Sequence, residues 1–85
     1  MKVRVPTLLF SYTHARDVEA AGGTLAEIIA DLDRQFPGIA FRVVDEQEHL
    51  RPHIRFFVNG ELVRDLRAAL SPSDEVQIVQ ALSGG

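Results

Sequence analysis

Three histidines are the first side chains in this sequence able to hold a metal or move a proton: His14, His49 and His53. Only His49 and His53 stand four residues apart, the spacing that puts two imidazoles on one helix face, and Pro52 between them disfavours a regular helix. The chain has no cysteine, and no third ligand stands in register with the pair. Both residues therefore read as surface loop histidines, and no metal is expected. Asp31 and Asp33 lie two apart in a stretch with helical spacing, and side chains two apart on a helix do not face each other. A solvated helix face accounts for them, and a polar loop accounts for Asp45, Glu46 and Glu48. Gly22-Gly23 precedes the helix without the Lys-Ser/Thr of a phosphate loop.

That leaves the last residues, Leu82-Ser83-Gly84-Gly85. With glycine at about 7% of residues, two terminal glycines arise by chance in roughly 0.5% of chains. Placement sharpens the signal, because the glycines follow directly on a strand-like run. A Gly-Gly arm has no Cβ, so it can enter a narrow tunnel and adopt backbone angles closed to other residues. The carboxylate of Gly85 would project clear of the fold with nothing shielding its carbonyl from a nucleophile. These are the physical demands on a carboxylate that a second enzyme activates; a frayed end is the alternative.

Eighty-five residues make one domain, 1–85, with a modest core and little room for an enclosed substrate pocket. Hydrophobic residues at 46% and charged residues at 25% describe a folded globular chain. The net charge of −3, with both signs mixed along the chain, leaves no basic footprint for nucleic acid. The N-terminal apolar stretch is interrupted by Arg4 and Pro6, too short for a membrane span or a secretory leader. A cytoplasmic protein is the expectation.

The elements that must hold the tail follow from periodicity. Val3 and Val5 alternate with Lys2 and Arg4 as a strand, with Pro6 making its middle irregular or edge-like. A polar loop follows, then a short return strand at 15–20. Thr24 and Glu27 form a capping box before an apolar stripe of Leu25, Ile28, Ile29, Leu32 and Phe36, and Pro37-Gly38 ends that helix. Residues 39–53 read as a helical turn and a surface loop. Asn59-Gly60 closes a hairpin over 54–63, and 66–75 reads as a short helical turn and loop anchored by Leu66 and Leu70. The last strand places Val76 and Ile78 on one face and Gln77 and Val79 on the other. The fold class is α+β: a five-stranded mixed sheet packed on one main helix, with first and last strands parallel, the ubiquitin-like β-grasp arrangement.

One sheet face would then be bare. If Ile54, Phe56 and Val58 face the helix, Phe57 lies on the open face with Val79 and Ala81. A partner-docking patch and ordinary isolated exposed apolar residues are both compatible with that pattern.

The strand order together with "VNGE" at 58–61, "SDEVQIV" at 73–79 and the terminal "SGG" resembles the ThiS/MoaD sulfur-carrier proteins over essentially the whole chain. Within them, "VPTLL" and "TLAEIIADLDRQFPGI" look most similar to the carrier that donates sulfur for cysteine biosynthesis from O-phosphoserine. The resemblance implies a protein co-substrate rather than an enzyme. It implies an E1-like adenylyltransferase/sulfurtransferase that adenylylates Gly85 with its own Mg-ATP, a sulfur donor that converts the adenylate to a thiocarboxylate, and a sulfur-accepting synthase. The carrier itself binds no cofactor. Gly85 and Gly84 would enter each active site, with Phe57, Val79, Ala81, Leu82 and Ser83 on the partner side. The resemblance leaves three further roles open: a ubiquitin-like modifier conjugated through Gly85, the small subunit of molybdopterin synthase, and an interaction domain with an incidental tail.

Overall fold

The computed structural model describes residues 1–81. Strand β1 (Lys2–Arg4) buries Val3 and carries Lys2 and Arg4 outward, and Val5 is buried just past its end. It is not an edge strand, because it lies between β2 (Asp17–Glu19) and β5 (Glu75–Gln80). Pro6 lies beyond it rather than within it. Lacking an N–H and with φ at −77°, it starts a 3-10 turn over Thr7–Leu9 that runs into the short helix α1 (Phe10–Thr13). The polar loop expected here is therefore mostly helical. Leu9 is fully buried, and His14 closes the turn at φ 54°.

Helix α2 (Leu25–Gln35) starts as its residues dictate. Thr24 Oγ1 accepts from the Glu27 N–H at 3.2 Å, and Glu27 Oε1 accepts from the Gly23 N–H at 2.6 Å, one residue earlier than in the usual capping box. The glycines have a packing role here. A Cβ on Gly22 would lie 2.7 Å from the Glu27 Cβ, so only glycine lets the entering chain lie against the helix. Leu25, Ile28, Ile29 and Leu32 are buried, and Phe36 caps the end. Gly38, at φ 98°, turns the chain into α3 (Ile39–Val43). Tyr12 of α1 accepts a 2.8 Å bond from Arg42 Nε, tying these two short helices together.

The helix carboxylates are more than a solvated face. Asp33 Oδ1 accepts from the Gly38 and Ala40 N–H groups at 3.0 and 3.1 Å, capping α3. Asp31 accepts from Arg34, Gln35 and the Ala21 N–H, and these bonds, led by Arg34, hold its carboxyl below the usual range. Asp45 Oδ1 takes the Gln47 and His49 N–H groups, both at 2.9 Å, and shapes the loop after α3.

Strand β3 (Ile54–Val58) turns through Asn59 (φ 52°) and Gly60 (φ 86°) into β4 (Glu61–Val63). Both turn residues lie in the left-handed region that a two-residue hairpin with the right twist requires. Residues 64–74 form turns and not the expected helical turn. The reason is tertiary: the carbonyls of Leu66 and Ala68 accept from Ala26 and Leu25 at 2.8 and 3.3 Å, satisfying N–H groups of the first turn of α2. Leu66 and Leu70 do pack against the core, as expected.

The sheet order is β2-β1-β5-β3-β4, with β1 and β5 parallel and the other pairs antiparallel. Its inner face gives Val3, Phe56, Val76 and Ile78 to a core shared with α2, Leu9 and Ile39. This is the β-grasp arrangement.

A side-chain clasp links the hairpin to the last strand. Asn59 donates to Asp74 Oδ1 at 2.9 Å and accepts from the Glu75 N–H at 3.0 Å, while Asp74 Oδ2 accepts from the Ser71 N–H at 2.8 Å. The Ser71 bond first, then Asn59, holds the Asp74 carboxyl below its usual range. A carboxylate depressed on folding stabilises above its unfolded pKa and loses that contribution as pH falls through the folded value. Asp74→Asn is therefore expected to lower the urea midpoint at neutral pH, with the gap to wild type closing as pH falls below the usual carboxylate range. A gap that stays constant with pH would contradict this.

Candidate functional site

Alternation along the strands decides what the open sheet face carries. Asp17, Glu19, Lys2 and Arg4 occupy the β2-β1 half. They neutralise one another: Arg4 Nε lies 3.1 Å and Lys2 Nζ 4.0 Å from Asp17, and the N-terminal ammonium lies 3.0 Å from Glu19. The other half is apolar at its centre. Phe57 pairs with Gln77 on one side and Leu62 on the other, and Val79 pairs with Arg55. Phe57 and Val79 are thus diagonal neighbours on one face, as alternation predicts, and both are half-buried. Leu62, 44% exposed, completes the patch and was missed in the sequence. The hairpin carried the signal, because a two-residue Asn59-Gly60 loop sets Val58 opposite Glu61 and therefore Phe57 opposite Leu62.

At the end of β5, Gln80 pairs with Ile54, and the Ala81 N–H donates to the His53 carbonyl at 2.7 Å. Ala81 lies just past the strand and is half-buried. On the other side, the register with β1 stops at Arg4 opposite Gln77, and Pro6 has no N–H for a further rung. The last residues of β5 thus run beside a shallow recess of about 320 Å³ lined by Pro6, Phe10, Arg4 and Arg16. β5 runs three residues, Ile78 to Gln80, past the end of its register with β1 while still paired with β3. Leu82, Ser83, Gly84 and Gly85, the residues expected to do the chemistry, lie outside the described residues.

Nothing gathers the remaining reactive groups. His14, His49 and His53 are exposed and sit on separate turns, and no group of three or more metal-ligating side chains forms among the described residues. Among those residues, no helix is long and apolar enough to cross a membrane.

Against known proteins, the ThiS family model matches residues 3–85. The sulfur carrier protein CysO of Mycobacterium tuberculosis is 35% identical over 98% of this chain and 96% of its own length. A crystal structure of the Amycolatopsis orientalis BexX/CysO complex contains a chain that is 39% identical. It covers 99% of this chain and 98% of that one, with a TM-score of 0.91. The crystal structure of SAMP1 from Haloferax volcanii is 27% identical, with a TM-score of 0.76 over 100% of this chain and 98% of that one. The family match begins at the first core valine, inside β1, and takes in the other four strands and the helix they grip. The chain belongs to the ThiS family and is homologous to sulfur carrier proteins, which are small carriers rather than enzymes.

Proposed function

We propose that this protein carries sulfur as a thiocarboxylate on Gly85 and hands it to a biosynthetic enzyme. The observation that carries the reading is the ThiS family match running through residue 85. An E1-like partner binds the carrier with Mg-ATP. A carboxylate oxygen of Gly85 attacks the α-phosphorus, the bond to pyrophosphate breaks, and an acyl-adenylate forms. A sulfur nucleophile then attacks the activated carbonyl, a C–S bond replaces the C–O bond to AMP, and the thiocarboxylate remains. ATP and Mg²⁺ belong to the partner. Similarity to CysO supports cysteine biosynthesis as the destination of the sulfur, with a sulfur-accepting synthase as the second partner.

The open face serves as the docking surface in this reading, with Phe57 at its centre and Leu62, Val79 and Ala81 beside it. That a similar CysO crystallised in a complex supports partner binding by this fold. Phe57→Asp is expected to reduce kcat/KM for carrier-dependent ATP–pyrophosphate exchange about 30-fold or more, the loss typical of a central aromatic anchor. Its circular dichroism should stay native, because Phe57 is outside the core. Exchange at the wild-type rate would move docking off this face.

The likeness to SAMP1, a small archaeal modifier protein, supports one further role for the same adenylate. A lysine amine in place of sulfur would give an isopeptide. Glycylglycine-tagged lysines dependent on this chain would establish that branch, and their absence from cells rich in the carrier would remove it.

A further inference from the structure

On the side of α2 away from β1, a groove of about 1020 Å³ runs between the helix, the loop after α3 and the β4 edge. Its floor is aliphatic: Ile29, Val44, Leu50, Ile54 and Leu66. Ala26 and Ala30 keep the helix wall low; Ile29 and Ile54 are buried at the base of the floor, and Val44, Leu50 and Leu66 are its half-exposed part. Its rim is basic. Of the nine lysines and arginines of the chain, Arg51, Arg55, Arg64 and Arg67 line this groove, against Glu48 and Asp65 of the twelve acidic residues. This reverses the sign of the chain as a whole, whose net charge is −3.

The rim arginines are not locked in close ion pairs among the described residues, although the Asp45 carboxyl, lowered first by the His49 N–H, is lowered also by nearby Arg51. Lys2, Arg4 and Arg34 pair with Asp17 or Asp31, whereas none of the four rim arginines makes an ion pair among the described residues. Two of them are held in place by backbone. Arg51 donates to the Phe41 carbonyl at 2.7 Å with its guanidinium 4.8 Å from the Phe41 ring centroid, and Arg55 donates to the Pro52 carbonyl at 2.6 Å. Arg64 and Arg67 are exposed, with no side-chain hydrogen bond among the described residues. β4 is one of the two edge strands, so its outer backbone groups have no strand partner among the described residues.

We infer that this groove docks an acidic segment of a partner protein, one that sets aliphatic side chains on the floor and carboxylates against the arginine rim. Charge complementarity and the half-exposed part of the apolar floor together select that occupant. A nucleic acid would satisfy the arginines alone, leaving the floor bare and bringing phosphates against an acidic chain. The groove is continuous with the open sheet face around the β4 edge, since Leu62 and Arg55 border both. A single partner can therefore hold the carrier from two sides. The inference stands apart from the sulfur chemistry, because nothing in it involves Gly85.

The test uses the full 15N-labelled chain at low salt, titrated with a synthetic peptide of alternating leucine and glutamate. Saturable amide shifts are expected in residues 44–52 and 62–67. Affinity should fall at least about tenfold in Arg64→Glu/Arg67→Glu, because like charges across an interface repel strongly. Both residues are exposed, and a native spectrum elsewhere would confirm the variant's fold. Four results would overturn the inference: shifts absent or confined to the Phe57 face, affinity unchanged in the double variant, equal affinity for an all-glutamate peptide of the same charge, or tighter binding in the groove by single-stranded RNA of that charge.

Discussion

A chain lacking Gly84 and Gly85 is expected to fold with unchanged stability and to form no acyl-adenylate and no thiocarboxylate. The two expectations separate because the two functions of the chain occupy different residues. Among the described residues, the last buried core residue is Ile78. Trimming residues outside the core typically changes stability by less than about 0.5 kcal/mol. The truncated chain still ends in a carboxylate, now on Ser83. That group is set back by roughly 7 Å, two residues of extended chain. Misplacing a reacting group by even about 1 Å can cost on the order of 100-fold. Thermal unfolding and pyrophosphate exchange with the E1-like partner check the two halves. Residual exchange at a substantial fraction of the wild-type rate would mean that the reacting carboxylate is not carried on this arm.

Phe56→Ala is expected to cost about 3–5 kcal/mol, the usual range for deleting a buried aromatic ring. Total stability of a domain is only about 5–15 kcal/mol, so this variant should lose a large fraction of it. Phe57→Ala, one residue along, should cost far less. Phe56 is 0% exposed at the centre of the inner sheet face, while Phe57 lies on the open face, so one position in register separates a core residue from one on the proposed docking face. Urea unfolding of the two variants checks this, and equal destabilisation would contradict the register.

That contrast also shows how much was legible beforehand. Alternation in "IRFFV" separates Phe56 from Phe57 without any structure, and Asn59-Gly60 locks the hairpin register that brings Leu62 beside Phe57. Thr24, Glu27 and the apolar stripe define α2 because each signal is local. What was not legible depends on distant parts of the chain. Residues 64–74 resist a helical reading because their carbonyls are needed by the first turn of α2, some forty residues earlier. Asp31, Asp33, Asp45 and Asp74 look like surface charge in sequence, yet each accepts backbone N–H groups that shape a turn. Arg51, Arg55, Arg64 and Arg67 form a basic rim only once the hairpin brings their segments together. The residues proposed to carry the chemistry stand out in sequence for the opposite reason: a terminal Gly84-Gly85 pair offers a core no side chain to pack.

The measurement that bears most directly on the sulfur-carrier reading is the intact mass of the wild-type chain after incubation with its E1-like partner, Mg-ATP and a sulfur source. The expected result is a gain equal to exchange of one oxygen for sulfur, located by fragmentation at Gly85 and dependent on ATP. An unchanged mass while ATP is turned over, or sulfur located anywhere other than Gly85, would contradict it.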